Sequence, residues 1–284
     1  MSELIQFLPS AFLYSSIFAG ALWLLAMFMR RNDIVDIAWG LGIAGLGWLA
    51  WAMYGTPSSL LIIIPLVLVS IWALRLSLHI ALRCGDQEDP RYHAWRLGWL
   101  EHGGLYFVIR SFFQIFLLQA LLMILVSLPV IISILSAYTS GWEMQYWWQW
   151  IGVLVWLEGM FFESVGDWQL AHFIKMKKNG AVPADSVLDR GMWAWTRHPN
   201  YFGEIEIWWG MFIMVLSPVL PVWGIIAILS PLFITMTLRY LSGVPMTEAL
   251  MLKYFPEKYP QYIKEVPMLF PQFPDRDWRY RYKK

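Results

Sequence analysis

The sequence predicts an all-α, polytopic membrane helix bundle of about seven transmembrane helices. Three observations predict it. Of the 284 residues, 58% are hydrophobic and only 14% are charged, where a soluble domain carries about 25% charge. Mean hydropathy is +0.51. The apolar residues also gather in runs long enough to cross a bilayer core of about 30 Å. The net charge of +1 provides no global field for nucleic acid. The 19 Trp and 13 Tyr suit two interfacial belts, or a pocket lining for a minority of them. One cysteine, Cys84, excludes an internal disulfide and argues against a Cys-based metal site.

The runs follow in order. Residues 10–29 form the first, ended by Arg30 and Arg31. Glu3 is the one charged side chain before it, and no basic n-region precedes it, so the run is expected to be a retained helix and not a signal peptide. The second, 34–54, contains Gly40, Gly42, Gly45 and Gly47, small residues that allow close helix contact. Tyr54–Ser58 is a neutral turn, and Asp33 and Asp36 suit the cap and first turn of the second helix. The third run, 59–81, acquires Arg75 and His79 four residues apart on one face, and Arg83 extends that stripe. The polar segment 84–104 reads as a structured loop or short interfacial helix opening at Pro90.

Run four, 106–135, is longer than one straight span needs, and Pro129 is expected to kink or end it. Run five, 147–173, holds Glu158, Glu163, Asp167 and His172; carboxylates in a span belong toward the bundle interior. A basic loop follows, with Asn179-Gly180 as a turn signal. Run six extends over 199–216 with Pro199 near its first helical position. Ser217–Pro221 is a neutral turn, and run seven, 222–241, contains Pro231. No repeat, linker or second domain is evident, so 1–284 reads as a single transmembrane domain, with 242–284 a cytoplasmic tail packed under the bundle.

The breaks after runs one, three, five and seven carry the charges, and the other breaks carry almost none. The positive-inside rule then places the N-terminus outside and the C-terminus in the cytoplasm. All the dense polar segments fall on that one face. The densest is 190–210, RGMWAWTRHPNYFGEIEIWWG, with Trp208 and Trp209 read as interface markers. Buried charges need a partner or a ligand. An Arg197-His198-Pro199 entry to a helix suits an anion, through the guanidinium fork and the helix N-terminus. The residues alone therefore indicate an anionic cofactor or substrate at a cytoplasmic mouth. Bland roles stay open: His198 as a structural hydrogen-bonder, Glu158 and Glu163 as internal ion-pair partners, Asp33 and Asp36 as caps. His79 with Glu88 or Asp89 matches no recognised metal-ligand spacing.

Thr196–Glu204 with Trp208-Trp209-Gly210 resembles the C-terminal signature of the steroid 5-alpha-reductase-like membrane proteins, and in particular their bacterial DUF1295-type branch of uncharacterised function. Asp36-Ile37-Ala38-Trp39-Gly40, Glu88–Tyr92 with Trp95-Arg96, Glu163–Asp167 and Lys253–Tyr262 resemble it too. The resemblance implies a seven-span NADPH-dependent reductase. Such an enzyme binds the dinucleotide on the cytosolic side and admits a lipid-like substrate from the bilayer. Hydride then goes to the beta carbon of an enone. It places Asp167, Arg197, His198, Asn200, Tyr201 and Glu204 at the cofactor, with Arg75, Arg83 and Trp208 as further contacts. The missing Rossmann glycine turn is no objection in a helix bundle. The branch also points to a bacterial inner membrane. Isoprenylcysteine and related lipid methyltransferases share the Arg-His-Pro-x-Tyr pattern, so an S-adenosylmethionine-dependent methyltransferase is the alternative. The sequence departs from the steroid reductases at the carbonyl clamp: the second span lacks their Gln-Glu pair and the third their Tyr. Asp36, His79 and Tyr92 are the remaining candidates for proton donor.

Overall fold

The computed structural model describes residues 2–55, 63–85, 87–141, 143–216 and 221–273. Thr56–Ser58 of the first neutral turn, Ser217–Leu220 of the second, and the basic residues after Phe273 lie outside them. Every regular element among the described residues is helical. In order these are α1 (Ser2–Met29), α2 (Ile34–Tyr54), α3 (Ile64–Arg83), α4 (Pro90–Leu100) and α5 (Gly104–Val126). Then come α6 (Leu128–Ser140), α7 (Trp147–Lys178), α8 (Pro199–Val215), α9 (Pro221–Ala227), α10 (Leu229–Met236), α11 (Val244–Tyr254) and α12 (Tyr259–Glu265).

Five stretches are both long and apolar enough to cross a membrane: α1, α2, α3, α5 and Gly224–Tyr254. The protein is a polytopic helical membrane bundle. Runs five and six are helical as α7 and α8, but they fall outside that set of five. Glu158, Glu163 and Asp167 lower the apolarity of α7, and α8 is 17 residues long. Run four divides: α5 stops at Val126, and Pro129 sits in the first turn of α6, where its missing N–H costs nothing. The same placement recurs at Pro65, Pro90, Pro199, Pro245 and Pro260. The Asn179-Gly180 signal closes α7: Gly180 has φ 71°, and the Ala181 N–H donates to the Met176 carbonyl at 3.0 Å.

The chain falls into two compact units. One comprises Met1–Gln149 with Met214–Ser230, the other Trp150–Ile213 with Pro231–Lys284. In the first unit α2 is central, because its glycines let four helices approach. Gly40 lies on Ala73 of α3, Gly42 on Phe18 of α1 and Met123 of α5, Gly45 on the Tyr14 hydroxyl, and Gly47 on Leu66 and Val130. In the second unit α7 and α8 pack backbone to backbone. A Cβ at Gly159 would lie 2.6 Å from the Gly203 carbonyl, and one at Gly210 would lie 2.7 Å from the Gly152 carbonyl. The polar tail belongs to this second unit: Tyr259, Tyr262 and Val266 form a buried cluster with Val187 and Phe255 against it.

Candidate functional site

The structure places most of the first unit's candidate residues in one cluster, and in the second unit divides them into three groups: Asn200 on Asp167, Trp208 on Glu204, and Arg197 with His198 on Glu248. In the first unit, the short connection between α1 and α2 is tied to the segment entering α4. Arg31 grips Asp33 with a fork, Nε to Oδ1 and Nη2 to Oδ2, both at 2.8 Å. Asp33 Oδ2 also accepts the Asp89 N–H at 2.9 Å. Glu88 accepts the Asn32 N–H at 2.6 Å and a fork from Arg96 at 2.8 and 2.9 Å. Asp89 caps α4 by accepting the Arg91 N–H at 2.9 Å. The capping role expected of Asp33 is thereby corrected: it stands at the N-cap of α2 but makes no cap bond. A guanidinium beside it outcompetes a backbone N–H as partner.

This wiring sets the local acidities. Burial raises the Asp33 carboxyl, but the Arg31 fork and the Asp89 N–H outweigh it and hold the group below the usual carboxylate range. Asp89 is likewise lowered, against burial, by Arg91. Tyr92 is buried, and its hydroxyl donates to Asp36 Oδ1 at 2.6 Å. Burial first, then the Asp36 charge, pushes the Tyr92 hydroxyl far above its ordinary value, so it keeps its proton. Arg91 reaches the other Asp36 oxygen at 3.4 Å. The Gly40–Ala73 and Gly47–Leu66 contacts put α3 antiparallel to α2, with Ser77 level with Asp36 and Arg75 level with Ala38. Asp36, Tyr92, Arg75 and His79 thus share one end of this unit. Arg83 is exposed in the last turn of α3.

In the second unit α8 begins at Pro199, as the sequence predicts, directly against α7. The Asn200 Nδ2 donates to Asp167 Oδ1 at 3.1 Å, while Asn200 Oδ1 accepts the Tyr201 N–H at 3.1 Å. Gly166 makes room: a Cβ there would meet Pro199 at 3.1 Å and the Asn200 nitrogen at 3.3 Å. The start of α8 is therefore closed by its own asparagine and by α7. Further along, Trp208 donates its indole N–H to Glu204 Oε1 at 2.9 Å. Trp208 is fully buried and Trp209 bonds Thr235 Oγ1 at 3.1 Å. The reading of Trp208 as an interface marker is corrected by that burial: one turn from Glu204, it is the carboxylate's buried donor.

Arg197 and His198 converge on a residue the sequence reading passed over. Arg197 Nε donates to Glu248 Oε1 at 2.8 Å, and His198 Nε2 lies 3.1 Å from the same oxygen. Arg197 Nη1 donates to the Ile263 and Val266 carbonyls, and its backbone N–H to the Pro267 carbonyl at 2.9 Å. The His198 ring stacks on Tyr201 at 5.3 Å, and the Tyr201 hydroxyl is 3.0 Å from Thr247. The available signal was that Glu248 is the one carboxylate of α11, facing a buried Arg-His pair that needs an anion.

Two cavities open beside this cluster, both lined in part by Phe173 and Leu188. One, of about 220 Å³, is bounded by Arg197, His198, Lys177, Thr247, Tyr259 and Tyr262 with Trp193, Met251 and Phe255. The other, of about 320 Å³, is open and bounded by Trp168, Gln169, His172 and Arg190. The linings contain Lys177, Arg190 and Arg197, and no carboxylate. Burial, then the Glu248 charge, raises Tyr259; burial, then Tyr259, raises Tyr262. Both therefore keep their protons, and Tyr262 donates its own to the Trp193 carbonyl at 2.6 Å. The surface that the two linings expose is mostly apolar.

No curated protein matches the chain, and no solved structure matches it. The family model described as "Protein of unknown function (DUF1295)" matches residues 22–266, which takes in the candidate residues of both units. The chain belongs to the DUF1295 family.

Proposed function

We propose that the protein is an NADPH-dependent membrane oxidoreductase reducing a carbon–carbon double bond of an enone in a lipid-like or steroid-like substrate, in a bacterial inner membrane. One observation carries this reading. Two adjoining cavities in the second unit share a wall at Phe173 and Leu188. Their linings hold three cationic side chains and no carboxylate. The larger lobe, of about 320 Å³, lies within the range of about 300–1,000 Å³ that ligand sites occupy, and the smaller adds about 220 Å³. A phosphate-bearing nucleotide matches the charge, and a ring fits the aromatic lobe. S-adenosylmethionine carries a sulfonium, a carboxylate and no phosphate, so it gives those cations less to do.

The residues fit the cofactor in this way. Arg190 and Lys177 hold phosphate. His198, held by its stacking on Tyr201, borders the ring together with Tyr259. Arg197 enters through its positioning of His198 and the tail, since Glu248 and two carbonyls already occupy its Nε and Nη1. Asp167 with Asn200, and Glu204 with Trp208, hold α7 and α8 together beside these cavities. When bound, NADPH supplies the hydride. The chain supplies the proton, and the Tyr92–Asp36 pair is its reserve, with His79 at the same end of α3. The substrate enters from the bilayer, which five stretches of this chain are long and apolar enough to cross.

The test is a titration of detergent-solubilised protein, read by thermal shift, with NADPH in one arm and S-adenosylmethionine in the other. Stabilisation by NADPH that weakens about tenfold in Arg190→Ala supports the reading. Stabilisation by S-adenosylmethionine and none by NADPH overturns it in favour of a methyltransferase acting on a lipid or prenylated substrate.

A further inference from the structure

A polar stripe descends the outer face of α5. Tyr106, Arg110 and Gln114 recur every four residues, so they lie one above another along the helix, and His102 stands in the turn just before its start. The His102 ring stacks on Tyr106 at 5.0 Å. The Arg110 guanidinium lies over the same Tyr106 ring at 5.5 Å. With its amide oxygen turned toward Arg110, Gln114 accepts from the guanidinium at 2.9 and 3.3 Å. His102 and Gln114 are exposed, Tyr106 is 38% exposed and Arg110 is half-buried. Around them Leu105, Ile109 and Phe113 are exposed apolar side chains, as a lipid-facing surface requires.

The stripe lies within a stretch apolar enough to span a membrane. At 1.5 Å per residue, Arg110 sits about 9 Å and Gln114 about 15 Å along α5 from its start. Among the described residues Arg110 has no carboxylate partner, and along the chain the nearest acidic residue on its N-terminal side is Glu101. Elsewhere in the same unit three arginines are matched: Arg31 to Asp33, Arg91 to Asp89 and Arg96 to Glu88. A cation in a span needs an anion or a path to water. On an outward face flanked by apolar side chains, the anion within reach is a lipid headgroup. A π-helical turn, Phe112–Leu117, follows directly and widens the helix between Arg110 and the end of the stripe.

We propose that the His102–Tyr106–Arg110–Gln114 stripe along α5 binds the phosphate headgroup of an anionic phospholipid. Arg110 donates to the phosphate, and Tyr106 holds the guanidinium from below by cation–π contact. Gln114 fixes the guanidinium orientation, and the acyl chains lie along Leu105, Ile109 and Phe113. The site is separate from the cofactor reading and stands whether or not the protein binds NADPH.

The experiment is native mass spectrometry of full-length protein drawn from vesicles of equal parts phosphatidylglycerol and phosphatidylcholine. Wild type retains phosphatidylglycerol over phosphatidylcholine by about fivefold, the preference one basic side chain confers at an anionic surface. Arg110→Gln abolishes the preference and Arg110→Lys keeps most of it. His102→Asp, an exposed change that places a carboxylate at the mouth of the stripe, lowers the preference without touching Arg110. Equal retention of the two lipids by wild type overturns the proposal, as does an undiminished preference in Arg110→Gln or in His102→Asp.

Discussion

Arg197 and Glu248 form a buried ion pair at 2.8 Å, with side chains 6% and 16% exposed. They are 51 residues apart, so the pair ties the entry of α8 to α11. Removing one partner of a buried pair leaves the other charge uncompensated, at about 3–5 kcal/mol. Glu248→Ala is expected to destabilise the second unit by roughly that amount, read as a lowered thermal midpoint in detergent. It should also free the segment 263–267 to proteolysis, because Arg197 would no longer be held toward those carbonyls. A midpoint within a degree of wild type would show that the pair contributes nothing.

Acid should weaken the fold through Asp33. Its carboxyl is held below the ordinary value of 3.8, so the folded protein favours the ionised form more than the unfolded chain does. The resulting stabilisation is complete above that ordinary value and fades as pH falls through the lowered one. Asp89 titrates in the same direction for the same reason. Thermal midpoints measured down from pH 7 should therefore hold level and then drop below about pH 4. Asp33→Asn should lower the midpoint at neutral pH and flatten that acid limb. An acid limb unchanged in Asp33→Asn would place the sensitive carboxylates elsewhere.

Local rules located the helices and missed the partnerships. Prolines at helix starts, Asn179-Gly180 at the end of α7 and the glycine series of α2 each work through their own neighbours, and each was legible in the sequence. Asp33 was legible only as a cap, because its real partners are an adjacent guanidinium and a backbone N–H 56 residues on. Arg197 and His198 were visible as a site, but Glu248 lay in a segment read as a tail. Trp208 fits an interfacial pattern by sequence, and only the packing of α7 on α8 shows it buried. The same packing turned Asn200 inward to Asp167 and closed a helix start that the sequence left open to an anion.

Gly203 is the tightest point of that packing. A Cβ there would stand 2.6 Å from the Glu163 nitrogen and 2.9 Å from the Glu163 Cβ, and the backbone of α7 cannot yield as a flexible side chain can. Gly203→Ala must push the two helices apart. Overpacking of this kind costs about 1–3 kcal/mol. The displaced face carries Asp167 and Asn200, so affinity for NADPH should fall together with the thermal midpoint. Gly180→Ala, which strains an exposed left-handed turn with nothing within 4 Å, should cost about 1 kcal/mol of stability and leave binding alone. Equal effects of the two on binding would mean that the α7–α8 seam does not position the site.

Tyr92 offers the sharpest test of the chemistry. Its hydroxyl is buried, keeps its proton and is aimed at Asp36 at 2.6 Å. Tyr92→Phe removes that proton and leaves Asp36 with Arg91 at 3.4 Å as its remaining charged neighbour. Asp36 is 28% exposed, so losing this donor costs less than the about 1–3 kcal/mol of a fully buried acceptor, and the thermal midpoint should fall modestly. If the pair supplies the proton, enone reduction should fall by about 10²–10⁴-fold. Affinity for NADPH should stay at the wild-type value, since no proton moves on binding. Asp36→Asn, which keeps a hydrogen-bond acceptor for Tyr92 but removes the charge, should slow reduction less than Tyr92→Phe and shift its pH profile. A Tyr92→Phe protein that reduces the enone within threefold of wild type would assign the proton to another group, and His79 on α3 is then the residue to change.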